Sequence, residues 1–391
     1  MKKTAVICEY NPFHLGHAYQ LKSIEESAVI AVMSGSFTQR GDAAVLSKYD
    51  RAEIAVRCGA DLVLELPFPY SSASAAVFGE AGVHMINALG CVDSLCFGSE
   101  SDDIDALQKT AKRLLSDEYQ HALSLHLEKD RAYTYRTSAA AVYETLYGEP
   151  FSAYGSNDIL ALSYLCALQK KNTDITPFAI RRRGESYNGE GIGFASATTV
   201  RAHIRARNTE ALTHTVPKET ADALFRALDA GRIADTERLF PLFVFLLRTR
   251  GEDILKGLYD IPKELAARLV QAAKTAKNTE ELLDLTATRA FSHSRIRRAM
   301  LTALMNVKPS DVTTPAYTVV LAANEKGRAI LKEIRKTASI PIITKPADAD
   351  KYGENASRAF SLSARADSIW ELLCDTPRDG AAMMREKPRM L

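Results

Sequence analysis

Four short, unbroken apolar runs, each followed by a polar or helix-like stretch, set the fold of the first half of the chain. Thr4–Glu9 (TAVICE), Ala28–Met33 (AVIAVM), Asp61–Leu66 (DLVLEL) and Ser94–Phe97 (SLCF) are rich in Val, Ile and Leu. Runs without polar alternation read as strands covered on both faces. Gly16–Glu26, Lys48–Cys58 and the Ala-rich Ser71–Leu89 read as the helices between them. This alternation predicts an α/β, Rossmann-like parallel sheet with crossover helices. Ligands of such sheets bind beyond the carboxyl ends of the strands, so the segments just after each run carry the functional information.

After the first run comes Glu9-Tyr10-Asn11-Pro12-Phe13-His14-Leu15-Gly16-His17. Pro12 fixes one dihedral, and Gly16 permits close approach of a ligand. Two imidazoles three residues apart at a helix start lie one turn from each other. The helix N-terminus adds free N–H groups and a positive dipole end. Together they suit a triphosphate, with His14 and His17 donating to oxygens as charge builds at the α-phosphorus. A bare HxxH is more often an ordinary histidine pair; the buried strand before it and the Asn-Pro-Phe lead-in favour the phosphate reading. Intact histidines of this kind also argue against a non-catalytic RNA-binding module on the same fold.

Other strand ends add candidates. Gly98, in CFGSE, suits backbone contact with an adenine or ribose. Asn157, in SNDILALSYL, stands before an apolar helix and reads as a cap or a nucleotide contact. Ser196-Ala197-Thr198-Thr199-Val200-Arg201 is a hydroxyl-rich helix start ending in a cation: Ser196 and Thr198 would hold phosphates and Arg201 would neutralise charge. Arg40 and Lys48, after the second run, are candidates for a carboxylate or phosphate contact.

From about residue 206 the pattern becomes helical, over Lys218–Ala230, Ile233–Arg248, Ile261–Ala276 and Glu280–Leu304. Tyr317–Ala322, Gly327–Lys336 and Pro341–Thr344 read as a small βαβ unit, and the charged, Met-containing end reads as loosely held. The expected division is residues 1–205 for the nucleotide and 206–391, mainly helical with the small βαβ unit. Two basic groups mark the second part: Arg289, His293, Arg295, Arg297 and Arg298, then Lys326, Arg328, Lys332, Arg335 and Lys336. Either could track RNA phosphates or form a solvated face. A net charge of only +2 over 391 residues confines any nucleic-acid contact to such local faces. No apolar run reaches the roughly 18–20 residues of a membrane span. Six scattered cysteines without CxxC spacing read as reduced cytoplasmic thiols, with neither a disulfide framework nor a metal site.

TAVICEYNPFHLGHAYQL, VMSGSFTQRGDAAVLSKYDRAEIAVRCGADLVLELPFPYS, CFGSE, SNDILALSYL and FASATTVR together resemble the bacterial tRNA(Met) cytidine acetate ligase family, in the HIGH-type nucleotidyltransferase superfamily. The likeness runs through about the first 205 residues and continues more weakly in YTVVLAANEKGRAILKEIRKTASIPIITK. Leu15 takes the variable place of HxGH. The resemblance implies activation of acetate by ATP as acetyl-adenylate. The acetyl group then passes to N4 of the wobble cytidine, C34, of elongator tRNA(Met). It implies an ATP site of Ile7, Cys8, Glu9, Tyr10, Asn11, Pro12, Phe13, His14, Leu15, Gly16, His17, Ala18, Tyr19, Gln20, Gly98 and Asn157, with an arginine of the triple cluster. Arg182 best matches the arginine before the Ser186-Tyr187 pair, with Arg181 and Arg183 open one residue to either side. Mg²⁺ is expected on the ATP phosphates; no membrane and no protein partner is expected. HxGH alone would equally suit a small-molecule adenylyltransferase, since it does not say which nucleophile attacks.

Overall fold

The computed structural model describes residues 1–129, 135–151, 155–182 and 194–391. Its centre is one sheet, in the order β5-β4-β1-β2-β3-β6-β7 with β8 also on β6. These strands are β1 (Lys2–Cys8), β2 (Ser27–Ser34), β3 (Leu62–Leu66), β4 (Ser94–Ser99), β5 (Thr176–Arg181), β6 (Thr318–Ala323), β7 (Ile342–Ile343) and β8 (Arg389–Met390). β1 to β5 are all parallel, as the apolar runs predict, and β1 lies between β2 and β4. Strand alternation divides the core between two faces. Val6 and Cys8 face the larger cluster, with Leu21, Ile54 and Ala55. Ala5 and Ile7 face the other, with Phe78, Ile86 and Leu165 from helices Ala75–Ala88 and Ser156–Lys171.

The βαβ unit forms, with β6 and β7 parallel and helix Glu325–Thr337 between them. It does not stand alone, because β6 pairs antiparallel with β3, and the Thr318 hydroxyl donates to the Glu65 carbonyl at 2.8 Å. The larger core cluster likewise runs from the sheet into helices Leu239–Arg250, Lys263–Thr275, His293–Met305 and Glu354–Leu372. Both sheet and core are thus continuous across residue 205.

Several elements differ from expectation. The stretch 280–304 is two helices, Thr279–Thr286 and His293–Met305. Thr288 and Phe291 exchange backbone hydrogen bonds in the break, and Ser292 caps the second helix. The expected Ser71 helix starts at Ala75, where Ser74 caps it. The end of the chain is held: Met383 is buried, Arg378 bridges Glu371 at 2.9 Å and Glu386 at 2.7 Å, and β8 joins β6. The helices Ile104–Leu114, Asp117–Lys129 and Tyr135–Tyr147 form a hairpin-like lobe beside Ser156–Lys171 that the apolar runs did not announce. Among the described residues no helix is long and apolar enough to cross a membrane.

Candidate active site

A cavity of about 390 Å³ opens at the carboxyl ends of β1 and β4. The chain leaves β1 through Tyr10, at φ 48, and three rings fill the turn: Tyr10 lies 4.8 Å from Phe13 and 4.9 Å from His17, centroid to centroid. His14 is the N-cap of helix Leu15–Lys22. Its Nδ1 accepts the Gly16 N–H at 3.0 Å, and the Nδ1 of His17 accepts the His14 N–H at 3.2 Å. This is a capping box in which imidazoles replace the usual hydroxyl and carboxylate. With each Nδ1 an acceptor, the neutral rings carry their protons on Nε2. Two Nε2–H donors are thereby left to the cavity that both residues line. The rings stack 3.8 Å apart. A Cβ at position 16 would come within 2.9 Å of His14 Cε1, so glycine is what lets the ring take this place. Burial lowers the His14 pKa to about 4, aided by the fields of Arg182 and Arg201. Burial also lowers that of His17 well below its usual value, with the fields of His14 and Arg182 adding to it. Both are neutral donors at neutral pH.

A second wall is an interlock between the end of β4 and the start of helix Ser156–Lys171. The Glu100 carboxylate accepts the N–H of Asn157 at 3.1 Å and of Asp158 at 2.9 Å, capping that helix. In return Asp158 accepts the Ser99 hydroxyl at 2.6 Å and the N–H groups of Glu100 and Ser101. Asn157 donates its amide to Glu100, and its Oδ1 accepts Arg182 Nη1 at 2.7 Å. The Arg182 side chain passes over Gly98, where a Cβ would meet its Cγ at 3.1 Å.

The third wall is the Ser196 helix start. Ser196 caps helix Ala197–Arg205, and Arg201 reaches the Asn11 carbonyl at 3.0 Å and the Thr198 hydroxyl at 3.1 Å. Asn11 itself ties down the loop after β2: its side chain accepts the Val45 N–H at 2.8 Å and donates to the Ala43 carbonyl. Arg51, fully buried, holds the same loops, donating to the carbonyls of Glu9, Ser34, Gly35 and Leu46. The Glu9 carboxylate accepts the Gln39 N–H at 2.6 Å, and burial raises its pKa.

Residues 1–383 match the HIGH Nucleotidyl Transferase family. The tRNA(Met) cytidine acetate ligase of Caldanaerobacter subterraneus subsp. tengcongensis is 36% identical over 387 residues, 95% of each chain. That of Acetivibrio thermocellus is 34% identical over 399 residues, 96% of each. The chain belongs to the tRNA(Met) cytidine acetate ligase family. The crystal structure of Thermotoga maritima TmcAL bound with alpha-thio ATP aligns over the whole of both chains with a TM-score of 0.92 at 31% identity, and the apo form aligns at 0.93.

Within this cytidine acetate ligase framework, Ile7, Cys8, Glu9, Tyr10, Asn11, His14, Gly16, His17, Tyr19, Gln20, Gly98, Asn157, Arg182, Ser196, Thr198 and Arg201 all line the one cavity. Pro12, Phe13, Leu15 and Ala18 do not: Phe13 is packed into the core beneath His17, and Ala18 faces the same cluster. Arg181 and Arg182 both line the cavity, and Arg182 makes the bond to Asn157. Arg183, Ser186 and Tyr187 lie outside the described residues.

Lys48 corrects an expectation. It is buried between Glu65, at 2.9 Å, and Asp367, at 2.7 Å, and Ser36 donates to Asp367 at 2.6 Å. It joins β3 to helix Glu354–Leu372 and does not line the cavity, whereas Arg40 does. The basic groups also separate. Arg295 is engaged by Asp260 at 2.6 Å, Arg297 lies 3.6 Å from Asp42, and Arg298 donates to the Gln39 carbonyl, so helix His293–Met305 abuts the cavity's rim. Helix Glu325–Thr337 instead starts beside Asp61, and its Glu333 pairs with Lys3, at the amino ends of the strands. Glu100 and Asp158 lie in segments the sequence marks but carry no assigned role there, and Arg51 and the apolar wall of Phe78, Phe97, Leu160 and Tyr164 escaped sequence reading. The i, i+3, i+7 spacing of Asn157, Leu160 and Tyr164 was the available signal for part of that wall.

Proposed function

We propose that the chain uses ATP to activate acetate as acetyl-adenylate and transfers the acetyl group to N4 of C34 in elongator tRNA(Met). The single observation that carries this is the histidine capping box, which aims two neutral Nε2–H donors into the cavity that Arg182 and Arg201 also line. The names of the relatives, matched over nearly the whole chain, supply acetate and the tRNA. ATP is supported by the alpha-thio ATP held by the Thermotoga maritima protein.

In this reading the triphosphate lies over His14, His17 and the Ser196 helix start, with adenine toward Gly98. An acetate oxygen attacks the α-phosphorus, forming a P–O bond while the α–β bridging bond breaks and pyrophosphate leaves. His14, His17, Arg182 and Arg201 stabilise the charge on the departing group. The cytidine N4 then attacks the acyl carbon; a C–N bond forms, the acyl C–O bond breaks, AMP leaves, and N4 loses a proton. Among the described residues no three His, Cys, Asp or Glu side chains gather as a metal cage. A Mg²⁺ would therefore be held mainly by the phosphates, where it would neutralise their charge. Residues 1–205 would carry the adenylation and the helical remainder would seat the tRNA, with Arg40 in the cavity lining and Arg297 and Arg298 at its rim.

The test is to incubate the protein with ATP, labelled acetate and bulk tRNA, then digest the RNA. Labelled N4-acetylcytidine is the expected product. A labelled small molecule with no RNA label overturns this reading in favour of a small-molecule adenylyltransferase.

A further inference from the structure

The cavity is polar on one side and apolar on the other, and the apolar side has a specific construction. Helix Ala75–Ala88 crosses β1 where Gly82 meets Ile7: a Cβ there would lie 2.6 Å from Ile7 Cδ1. Phe78 is one turn earlier and therefore lies nearer the carboxyl end of β1, where the cavity opens. The neighbouring Gly79 brings this helix against Ser163 of helix Ser156–Lys171; a Cβ at 79 would be 2.7 Å from the Ser163 Cβ. Phe78 and Tyr164, from the two helices, belong to one core cluster, and Tyr164 packs on Phe97 with ring centroids 6.0 Å apart. Phe78, Phe97 and Tyr164 are each buried. Together with Ile7 and Leu160 they form the apolar part of the cavity lining.

The histidines stand over the opposite face of the sheet. Helix Leu15–Lys22 packs Leu21 into the larger cluster, whereas Ile7, Phe78 and Tyr164 belong to the other. With the triphosphate over His14, His17 and the Ser196 helix start and the adenine toward Gly98, as in the reading above, the apolar lining is left for the attacking acid. We infer that the wall of Ile7, Phe78, Leu160 and Tyr164 receives the alkyl end of the attacking acid and limits its length, with Phe78 the residue that sets the limit. This rests on the acid-activating reading above. The wall offers rigid aromatic and aliphatic surface to a methyl group, with its two helices already at closest approach through Gly79. A longer chain must displace Phe78, a ring that is already buried between its own helix, the sheet and helix Ser156–Lys171. Pockets of this kind discriminate single methylenes by about 10–200-fold.

The experiment is acid-dependent ATP–pyrophosphate exchange by the full chain with acetate, propionate and butyrate. The wild type should favour acetate over propionate by at least about tenfold. Phe78→Leu should shrink that ratio by about tenfold, and Leu160→Ala, at a half-buried position, should shrink it in the same direction. The ratio is internal to each preparation, so partial unfolding does not alter it; if Phe78→Leu does not fold, Leu160→Ala decides. An unchanged acetate-to-propionate ratio in a folded, active variant overturns the inference. So does an unchanged ratio accompanied by a raised KM for tRNA, which would give the wall to the cytosine. Exchange that responds to no acid in the wild type defeats the parent reading instead, an outcome distinct from either.

Discussion

His14 and His17 hold each other through the backbone: the Nδ1 of His17 accepts the amide of His14, while the Nδ1 of His14 accepts that of Gly16. Each ring is therefore both a structural cap and a proton donor at Nε2. His17→Ala removes one donor and one cap. Acetate-dependent pyrophosphate exchange should fall by about 10²–10³-fold, with helix stability reduced by only about 1 kcal/mol. His17→Gln, whose Nε2 can approximate the imidazole Nε2–H, should recover part of the rate. Near-normal exchange in His17→Ala would remove the histidines from the chemistry.

The depressed histidine pKa values give a signed pH prediction. The unfolded chain protonates His14 near its usual 6.5, whereas the folded chain does so at about 4. Between those values the unfolded state binds more protons, so stability falls as pH drops through this window and His14 adds no further loss below about 4. The full effect is about 3 kcal/mol, and His17 acts in the same direction. Urea melts of the wild type and His14→Gln across this range should converge toward acid pH. The kcat/KM for ATP should show no histidine ionisation between about pH 6 and pH 8.

Arg182 is aimed by Asn157, whose own position is set by Glu100. Arg182→Ala should raise KM for ATP by about 10–100-fold, the loss expected of a charge-assisted contact. Asn157→Ala should raise it less, because the guanidinium remains but is no longer held. If both variants bind ATP as the wild type does, the β4–helix interlock is a scaffold only.

Lys48 neutralises two buried carboxylates at once. Lys48→Met should destabilise the fold by about 3–5 kcal/mol in chemical denaturation. The loss should shrink toward acid pH, as Glu65, whose pKa burial already raises, takes up a proton. A pH-independent loss would mean that packing rather than charge is responsible.

The positions of the two basic groups separate their roles. Arg297→Glu, on helix His293–Met305 at the cavity's rim, should weaken tRNA acetylation while exchange persists. Lys332→Glu, on the helix at the amino ends of the strands, should leave both intact. Filter binding at several salt concentrations would read the difference as a reduced salt slope for the first variant alone. Equal slopes for both would place the RNA elsewhere.

The parallel strands were legible because burial on both faces leaves a continuous apolar run in local sequence. Most of the cavity-lining loop was legible because His14, Gly16 and His17 are neighbours in the chain. Lys48 was not: its partners Glu65 and Asp367 are 17 and 319 residues away, and no local pattern marks a buried cation. Arg51 looks like any helix-face arginine until four carbonyls converge on it. β5 (TPFAIR) is too short and too mixed to stand out, and is only half buried at the sheet's edge. The break between residues 286 and 293 was hidden because both flanking helices keep apolar spacing; Ser292 as a cap was the one local sign.

The antiparallel join of β6 to β3 has a consequence for the newborn chain. Thr318 finds the carbonyl of Glu65 across 253 residues of sequence. Until the ribosome has delivered that distant segment, the growing protein carries β3 as a bare, apolar edge ready to pair with a neighbour. The helical half thus acts as a delayed cover for the half that is made first.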